Sequence, residues 1–523
     1  MRVLVADALS DAGVSALAAS HEVDVRTGLT RAELIAAVAG YDAVVVRSAT
    51  TIDAGVIAAA DRLKVIARAG IGVDNIDVDA ATARGIVVCN APQSNTISAA
   101  EHTIALLLAL VRRIPAADRS LRDGAWKRSD FQGTELHGRT LGVMGLGRVG
   151  TLVAHRCAAF GMRLAAYDPY VSAERADQLG IQLLASPTRL CEAADIVTVH
   201  LPRTPDTVGI VGRAQLQALG ADGMLVNTAR GGIIDEDALF AALRDRVIAG
   251  AALDVFAEEP LTASPLFDLP NVVITPHLGA STKQAQDKAG VMVAEAVDVA
   301  LRGEFVPSAV NLPVAAAVTE QVRAFMGLMT KLGRLFTALY EGVTSTITVE
   351  YRGHIAEEDP SALNLAALTG LLSDVVDEPV TFVNAPVTAA ERGLKLTTMT
   401  SPVARDFVSV VRLTADGENA VAGTLIGPAN RERLVELWGF EIDMEPSEYM
   451  LFFRYVDRPG IIGKIGSLLG AADINIATMQ VGRREMGGDA LIAMTTDSAV
   501  APATAVRIAE AIGSTQARTI SLS

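Results

Sequence analysis

The sequence predicts an α/β protein: two doubly wound parallel-sheet domains, followed by two smaller α+β domains. Three observations carry this expectation. Short apolar runs recur about every 20 residues with alanine-rich helical stretches between them. A glycine-rich turn links a strand to a helix at Gly145, and a segment of prolines and small residues, Val306–Val318, reads as a linker with a boundary near residue 312.

The first set of strands is expected at Val3–Ala6, Val23–Val25, Ala43–Val46, Val65–Ala67 and Ile86–Val88. A helix over Ile97–Arg113 then leads to a second set at Leu141–Met144, Met162–Tyr167, Ile196–Val199, Met224–Val226, Ala249–Leu253 and Val272–Thr275. A further helix spans Ser281–Leu301. Beyond the linker, residues 318–447 combine a helix (Gln321–Leu339) with strand-like Ile347–Tyr351 and Phe407–Leu413, and carry no catalytic signature. From Tyr449 onward the order of strand, turn, helix and further strands reads as a βαββαβ unit.

At 523 residues and 50% hydrophobic composition, the chain needs more than one core. Lys and Arg total 45 against 60 Asp and Glu, and the net charge of −15 argues against a nucleic-acid or membrane partner. Any phosphate it binds must therefore meet local cations. Cys89, Cys157 and Cys191 are too few and too scattered for a disulfide framework or a metal site, which fits a reducing cytoplasm. The opening MRVLVADALSDAG, with Asp7 and Asp11, does not read as a signal peptide. Ile104–Val111, the longest apolar run, falls well short of the roughly 20 residues a membrane span requires.

Gly145-Leu-Gly147-Arg148-Val149-Gly150 follows a strand and opens a helix, the context in which glycines serve a dinucleotide. Gly145 permits the turn, Gly147 lets backbone approach a pyrophosphate, and Gly150 lets helix meet sheet. Asp168 ends the next strand, where a carboxylate hydrogen-bonds ribose hydroxyls and repels a 2′-phosphate, so NAD is expected over NADP. Gly70-Ile71-Gly72 lacks the third glycine, position 75 being Asn, and reads as substrate-facing backbone.

Three more strand ends carry chemistry: Asn227-Thr228-Ala229-Arg230, Asp254-Val-Phe-Ala-Glu-Glu259, and Thr275-Pro-His277-Leu278-Gly279-Ala280. Strand C-termini of a parallel sheet share one edge, so Arg230, Glu259 and His277 can converge there. Oxidising an alcohol beside a carboxylate requires a base, a group that orients it, and a cation for the carboxylate. His277 is assigned as the base, Glu259 as its orienting acid and Arg230 as the cation. His102 and His200 compete as the base; the first falls within a helix and the second at a strand exit.

Together with VRSAT (Val46–Thr50), RAGIGVDN (Arg68–Asn75) and NTISAAEHT (Asn95–Thr103), these segments resemble the D-2-hydroxyacid dehydrogenase family over residues 1 to about 312. The resemblance implies a Rossmann NAD-binding domain over 97–281 and a discontinuous substrate domain of 1–96 plus 282–312. It also implies coenzyme contacts at Arg148, Val149, Asp168, Thr228, Ala229, Arg230, Asp254, His277, Leu278, Gly279 and Ala280. Within the family the chain is similar to the long members that oxidise 3-phospho-D-glycerate at the start of serine synthesis. That similarity implies phosphate contact at Arg47, hydrogen bonds from Ser48 and Asn95, and carboxylate binding by the amides of Gly70, Ile71, Gly72 and Val73. Trp126-Lys-Arg128 offers further positive charge, in reach of a neighbouring subunit.

Residues 449–523 are similar to ACT regulatory modules, with Tyr455, Asp457 and Asn475 at the positions of the family's L-serine contacts. Residues 318–447 resemble the intervening domain of the long members, either an anion-responsive regulator or a spacer. The resemblance further implies a homotetramer. Two rival readings are a glyoxylate or hydroxypyruvate reductase and a non-catalytic NAD(H)-sensing corepressor.

Overall fold

The computed structural model describes residues 1–312, 318–340, 345–376, 380–415 and 419–522. Residues 313–317 of the expected linker lie outside the described residues.

Strands β1 (Arg2–Val5), β2 (Glu22–Val25), β3 (Ala43–Val46), β4 (Val65–Arg68) and β5 (Val87–Asn90) form a parallel sheet in the order β2-β1-β3-β4-β5. The run Ala43-Val-Val-Val46 is buried throughout, as a strand covered on both faces must be. One face packs against the helix Lys283–Leu301, whose Ala289, Val293 and Val297 meet Val3, Val5 and Val65. That helix lies almost in backbone contact with the helix Asp11–Ala18: a Cβ added to Gly13 would stand 2.7 Å from the Cα of Gly290. The residues after the helix also return to this sheet. Val310 donates its amide to the Val88 carbonyl, and Asn311 accepts from the Val88 amide.

The second sheet contains β6 (Thr140–Met144), β7 (Arg163–Tyr167), β8 (Gln182–Leu183), β9 (Ile196–Val199), β10 (Met224–Asn227), β11 (Gly250–Leu253) and β12 (Val272–Ile274). All are parallel, in the order β12-β11-β10-β9-β6-β7-β8. The chain leaves β6 for β7 on one side and reaches β9 on the other, which opens a crevice at their C-terminal ends. The helix Thr96–Val111 crosses from the first sheet to this one, seating Ala100, Leu107 and Leu110 against Val143, Val153 and Ala154. Strand β8 escaped the sequence reading because two residues are too short to show a period.

The third sheet is mixed: β13 (Thr346–Gly353), β14 (Lys395–Ser401), β15 (Ser409–Ala415), β16 (Asn419–Ile426), β17 (Arg431–Leu437) and β18 (Phe440–Met444), ordered β14-β13-β15-β16-β17-β18. Only β13 and β14 pair in parallel. The fourth, antiparallel throughout, contains β19 (Tyr449–Val456), β20 (Ile476–Arg483), β21 (Asp489–Thr496) and β22 (Gln516–Ser521), ordered β20-β21-β19-β22. The two are not separate cores. Met450, Phe452, Leu491 and Ala493 of the fourth sheet join Leu332, Phe336, Leu437 and Phe440 in one cluster, and Trp438 meets Phe452 edge-on at 6.4 Å.

Replacing Gly13 by Val should force the helices Asp11–Ala18 and Lys283–Leu301 apart and cost about 1–3 kcal/mol. Thermal unfolding of the variant would show this as a lowered midpoint.

Candidate functional site

The turn after β6 is shaped by its glycines. Gly145 holds φ at 95° where a Cβ would stand 2.6 Å from the His200 carbonyl oxygen, and a Cβ on Gly150 would stand 2.0 Å from the Gly145 carbonyl oxygen. At Gly147 a Cβ would meet nothing within 4 Å. The middle glycine thus faces open space at the N-terminus of the helix Arg148–Ala158, where backbone amides and the helix dipole favour an anion. Asp168 braces this turn, its Oδ2 accepting from the Leu146 amide at 2.8 Å and its Oδ1 from the Tyr170 amide at 2.9 Å. A cleft of about 620 Å³ opens beside it, bounded by Leu146, Gly147 and Arg148 on one side and Gln93, Thr96 and Lys288 on the other. With its amide oxygen turned toward Arg148, Gln93 accepts both terminal guanidinium nitrogens at 2.9 and 3.0 Å. These residues fit the pyrophosphate of a dinucleotide.

Strands β10, β11 and β12 end in register, Asn227 beside Leu253 and Leu253 beside Ile274. The segments that follow them therefore emerge together. His277 Nδ1 lies 2.6 Å from Glu259 Oε2, and Glu259 Oε1 accepts the Phe256 amide at 2.9 Å. Burial acts to raise the Glu259 carboxyl, but the bonds from His277 and Phe256 outweigh it and hold the group below the ordinary range. Because the carboxylate can only accept, Nδ1 carries the ring proton and Nε2 is left as the basic nitrogen. Arg230 is anchored by Nη1 to the Ala229 carbonyl at 2.7 Å, and its Nε stands 3.8 Å from Asp74. Thr228 Oγ1 pairs with Thr103 Oγ1 at 2.6 Å, which joins this edge to the crossing helix.

The two rival histidines are engaged elsewhere. Burial pushes His200 down to about 4, and its Nε2 bonds Thr198 Oγ1 at 2.9 Å. His102 Nε2 lies 3.1 Å from both Thr275 Oγ1 and Asp254 Oδ1.

From the first domain, Asp7 accepts the amides of Arg47 and Thr50 at 2.6 and 3.1 Å and so holds the Arg47-Ser48 loop. Ser48 is exposed, Arg47 half-buried. Asn95 Oδ1 is buried without a hydrogen-bond partner, an acceptor available to a ligand. The 70–73 segment departs from the expected row of free amides: the Gly70 amide donates to the Arg68 carbonyl at 2.8 Å, because the chain turns tightly there. Sequence reasoning missed Arg68. Burial lowers its guanidinium, as do the neighbouring charges of Arg230 and Arg47, so three cations share one corner of the cleft. Its place in the RAGIGVDN segment was a usable signal; Gln93 and Lys288, which reach the cleft only through the fold, left none.

Family comparison covers most of the chain. Residues 104–279 match the D-isomer specific 2-hydroxyacid dehydrogenase NAD binding domain, 321–438 the D-3-phosphoglycerate dehydrogenase intervening domain, and 449–512 the ACT domain. The D-3-phosphoglycerate dehydrogenase of Mycobacterium leprae is 49% identical across 100% of this chain and 99% of its own. That of Bacillus subtilis is 40% identical, over 95% of each. The chain belongs to the D-3-phosphoglycerate dehydrogenase family. A Thermus thermophilus structure is 38% identical with TM-score 0.55, covering 59% of this chain and all of its own. An NADPH-dependent glyoxylate/hydroxypyruvate reductase from Sinorhizobium meliloti is 32% identical with TM-score 0.53, covering 59% of this chain and 96% of its own.

As a member of the D-3-phosphoglycerate dehydrogenase family, the chain is an NAD-dependent D-2-hydroxyacid dehydrogenase with a C-terminal ACT domain. The ACT domain places the three expected effector residues as follows. Tyr455 is 2% exposed, packed with Phe453, Ile465 and Ile492, because its position on β19 points inward to the helices. Asp457 Oδ2 accepts from Arg483 at 3.3 Å, and Asn475 donates to Asp497 Oδ2 at 2.7 Å.

Gly147→Ala tests the cradle. The added methyl meets nothing in the protein, so folding should be unaffected, while fluorescence titration should show NADH binding weakened about tenfold or more as the methyl enters the coenzyme's space.

Proposed function

We propose that the chain oxidises 3-phospho-D-glycerate to 3-phosphooxypyruvate with NAD+, the first step of L-serine biosynthesis, in the cytoplasm. The observation that carries the mechanism is the 2.6 Å contact between His277 and Glu259 at the edge where Arg230 also emerges. When bound, NAD+ supplies the acceptor for the C2 hydride. His277 Nε2 takes the C2 hydroxyl proton, and the Glu259 carboxylate stabilises the imidazolium that results. Arg230 binds the substrate carboxylate and polarises the C2 oxygen. Residues 148–150, Asp168, Thr228, Ala229, Asp254 and 277–280 would hold the coenzyme.

The phosphate assignment rests on Arg47 and its neighbour Arg68. Arg47, Arg68 and Arg230 share this corner with Asp7 and Asp74, and a phosphate dianion suits the positive charge that the three guanidiniums concentrate there. Ser48, Asn95 and the amides of 71–73 would complete the substrate site. The reductase reading is favoured by the Sinorhizobium likeness, but that structure matches only the catalytic part of this chain. A corepressor would not need the 2.6 Å base pair. L-Serine is the proposed effector of the ACT domain, through Tyr455, Asp457 and Asn475, and a homotetramer the proposed assembly. Trp126, 78% exposed, supports self-association through the segment before β6.

His277→Asn should lower turnover by on the order of 10²–10⁴-fold while leaving NADH binding intact. Turnover equal to that of the parent would show that another group takes the proton. In steady-state assays D-glycerate should be oxidised far less efficiently than its 3-phosphate; equal kcat/KM for the two would remove the phosphate site.

A further inference from the structure

His277 sits in the left-handed backbone region at φ 55°, an uncommon conformation for a residue with a side chain. The loop that keeps it there is fastened to a single residue. The Asp254 carbonyl accepts the His277 amide at 2.9 Å, Asp254 Oδ1 accepts Leu278 N at 2.7 Å, and Oδ2 accepts Gly279 N at 2.8 Å. Thr275 Oγ1 donates to the same carboxylate at 2.6 Å. Two consecutive amides and the Thr275 hydroxyl thus converge on one side chain that is 0% exposed, while the same residue's carbonyl holds a third amide. A carboxylate removed from water this completely is costly unless charge or strong donors answer it. Burial works to raise Asp254, and the bonds from His102, Thr275 and Leu278 together bring it below the ordinary range.

Among the groups that hold Asp254, His102 is the sole side chain contributed by the crossing helix. Its Nε2 stands 3.1 Å from both Asp254 Oδ1 and Thr275 Oγ1, and since the carboxylate can only accept and Thr275 gives its own proton to that carboxylate, Nε2 carries the proton that faces this pair. The same helix begins beside Asn95, whose buried Oδ1 has no hydrogen-bond partner. Residues of the first-domain junction and the loop of the base are therefore joined through two side chains.

We infer that His102 is a positioning residue: by directing Nε2–H at the bonded pair of Thr275 hydroxyl and buried Asp254 carboxylate it keeps the 277–279 loop, and with it His277, in the geometry proton transfer requires. This rests on the reading of His277 as the base. His102 itself touches neither proton nor substrate. Its effect travels through Asp254, whose other acceptor sites are filled by the loop.

The test uses two replacements in the full-length enzyme. Gln at position 102 can place its amide nitrogen where Nε2 stands, whereas Asn is too short to reach Asp254. His102→Asn should lower kcat about tenfold or more, with the NADH dissociation constant within about threefold of the parent. His102→Gln should recover most of that loss. Amide exchange at 277–280 should quicken in the Asn variant and not in the Gln variant.

Equal kcat for parent and His102→Asn overturns the inference. So does a Gln variant as impaired as the Asn variant, or an Asn variant that loses NADH affinity in proportion to kcat. His277→Asn is measured alongside. If that variant is active, the base assignment itself fails; if it is inactive while His102→Asn turns over normally, only the role of His102 falls.

Discussion

The parallel register of β10, β11 and β12 is the constraint on which the remaining chemistry depends. Because Asn227, Leu253 and Ile274 end side by side, segments separated by tens of residues in sequence leave the sheet at one rim. A slip of one residue would turn a strand's side chains over and redirect the segment after it. The Glu259–His277 bond at 2.6 Å is a consequence of that alignment, and so is the fastening of the His277 loop to Asp254, which occupies the end of the middle strand.

Electrostatics complete the arrangement. The chain is acidic overall, yet the cleft gathers Arg47, Arg68 and Arg230 at one corner and Arg148 with Lys288 at another. Each corner draws on both sheet domains: Arg47 and Arg68 face Arg230 across the first, Lys288 faces Arg148 across the second. An anion spanning either corner would pull the domains together, since its charge offsets the repulsion between cations that approach as the cleft narrows.

The C-terminal half has a different physical character. Its two sheets share one apolar cluster, with Trp438 and Phe440 laid against Phe452, and Arg454 and Arg484 both stacked near the Phe440 ring. The intervening region and the ACT region therefore behave as one packed body. The ACT sheet face opposite its helices is covered by the intervening region.

Much of the catalytic half was legible in the sequence. Valine-rich runs such as Ala43–Val46 declare buried parallel strands, and Gly145, Gly147 and Gly150 declare their three separate duties through spacing alone. The motif that ends each strand announced the residue types a hydroxyacid chemistry needs. Less was legible where the signal was short or the face ambiguous. Two-residue β8 shows no period, Tyr455 reads as polar but turns into a core, and the Gly70 amide is consumed by a local turn. Local composition thus determined the elements, the glycine cradle and the candidate chemistry, since those follow from backbone sterics and hydrophobic period. The tertiary structure alone decided that His102 lies against Thr275 and Asp254, that Gln93 meets Arg148, and that the last two sheets share a core. Such contacts join residues far apart in the chain, and no local propensity encodes which distant partner a side chain will meet.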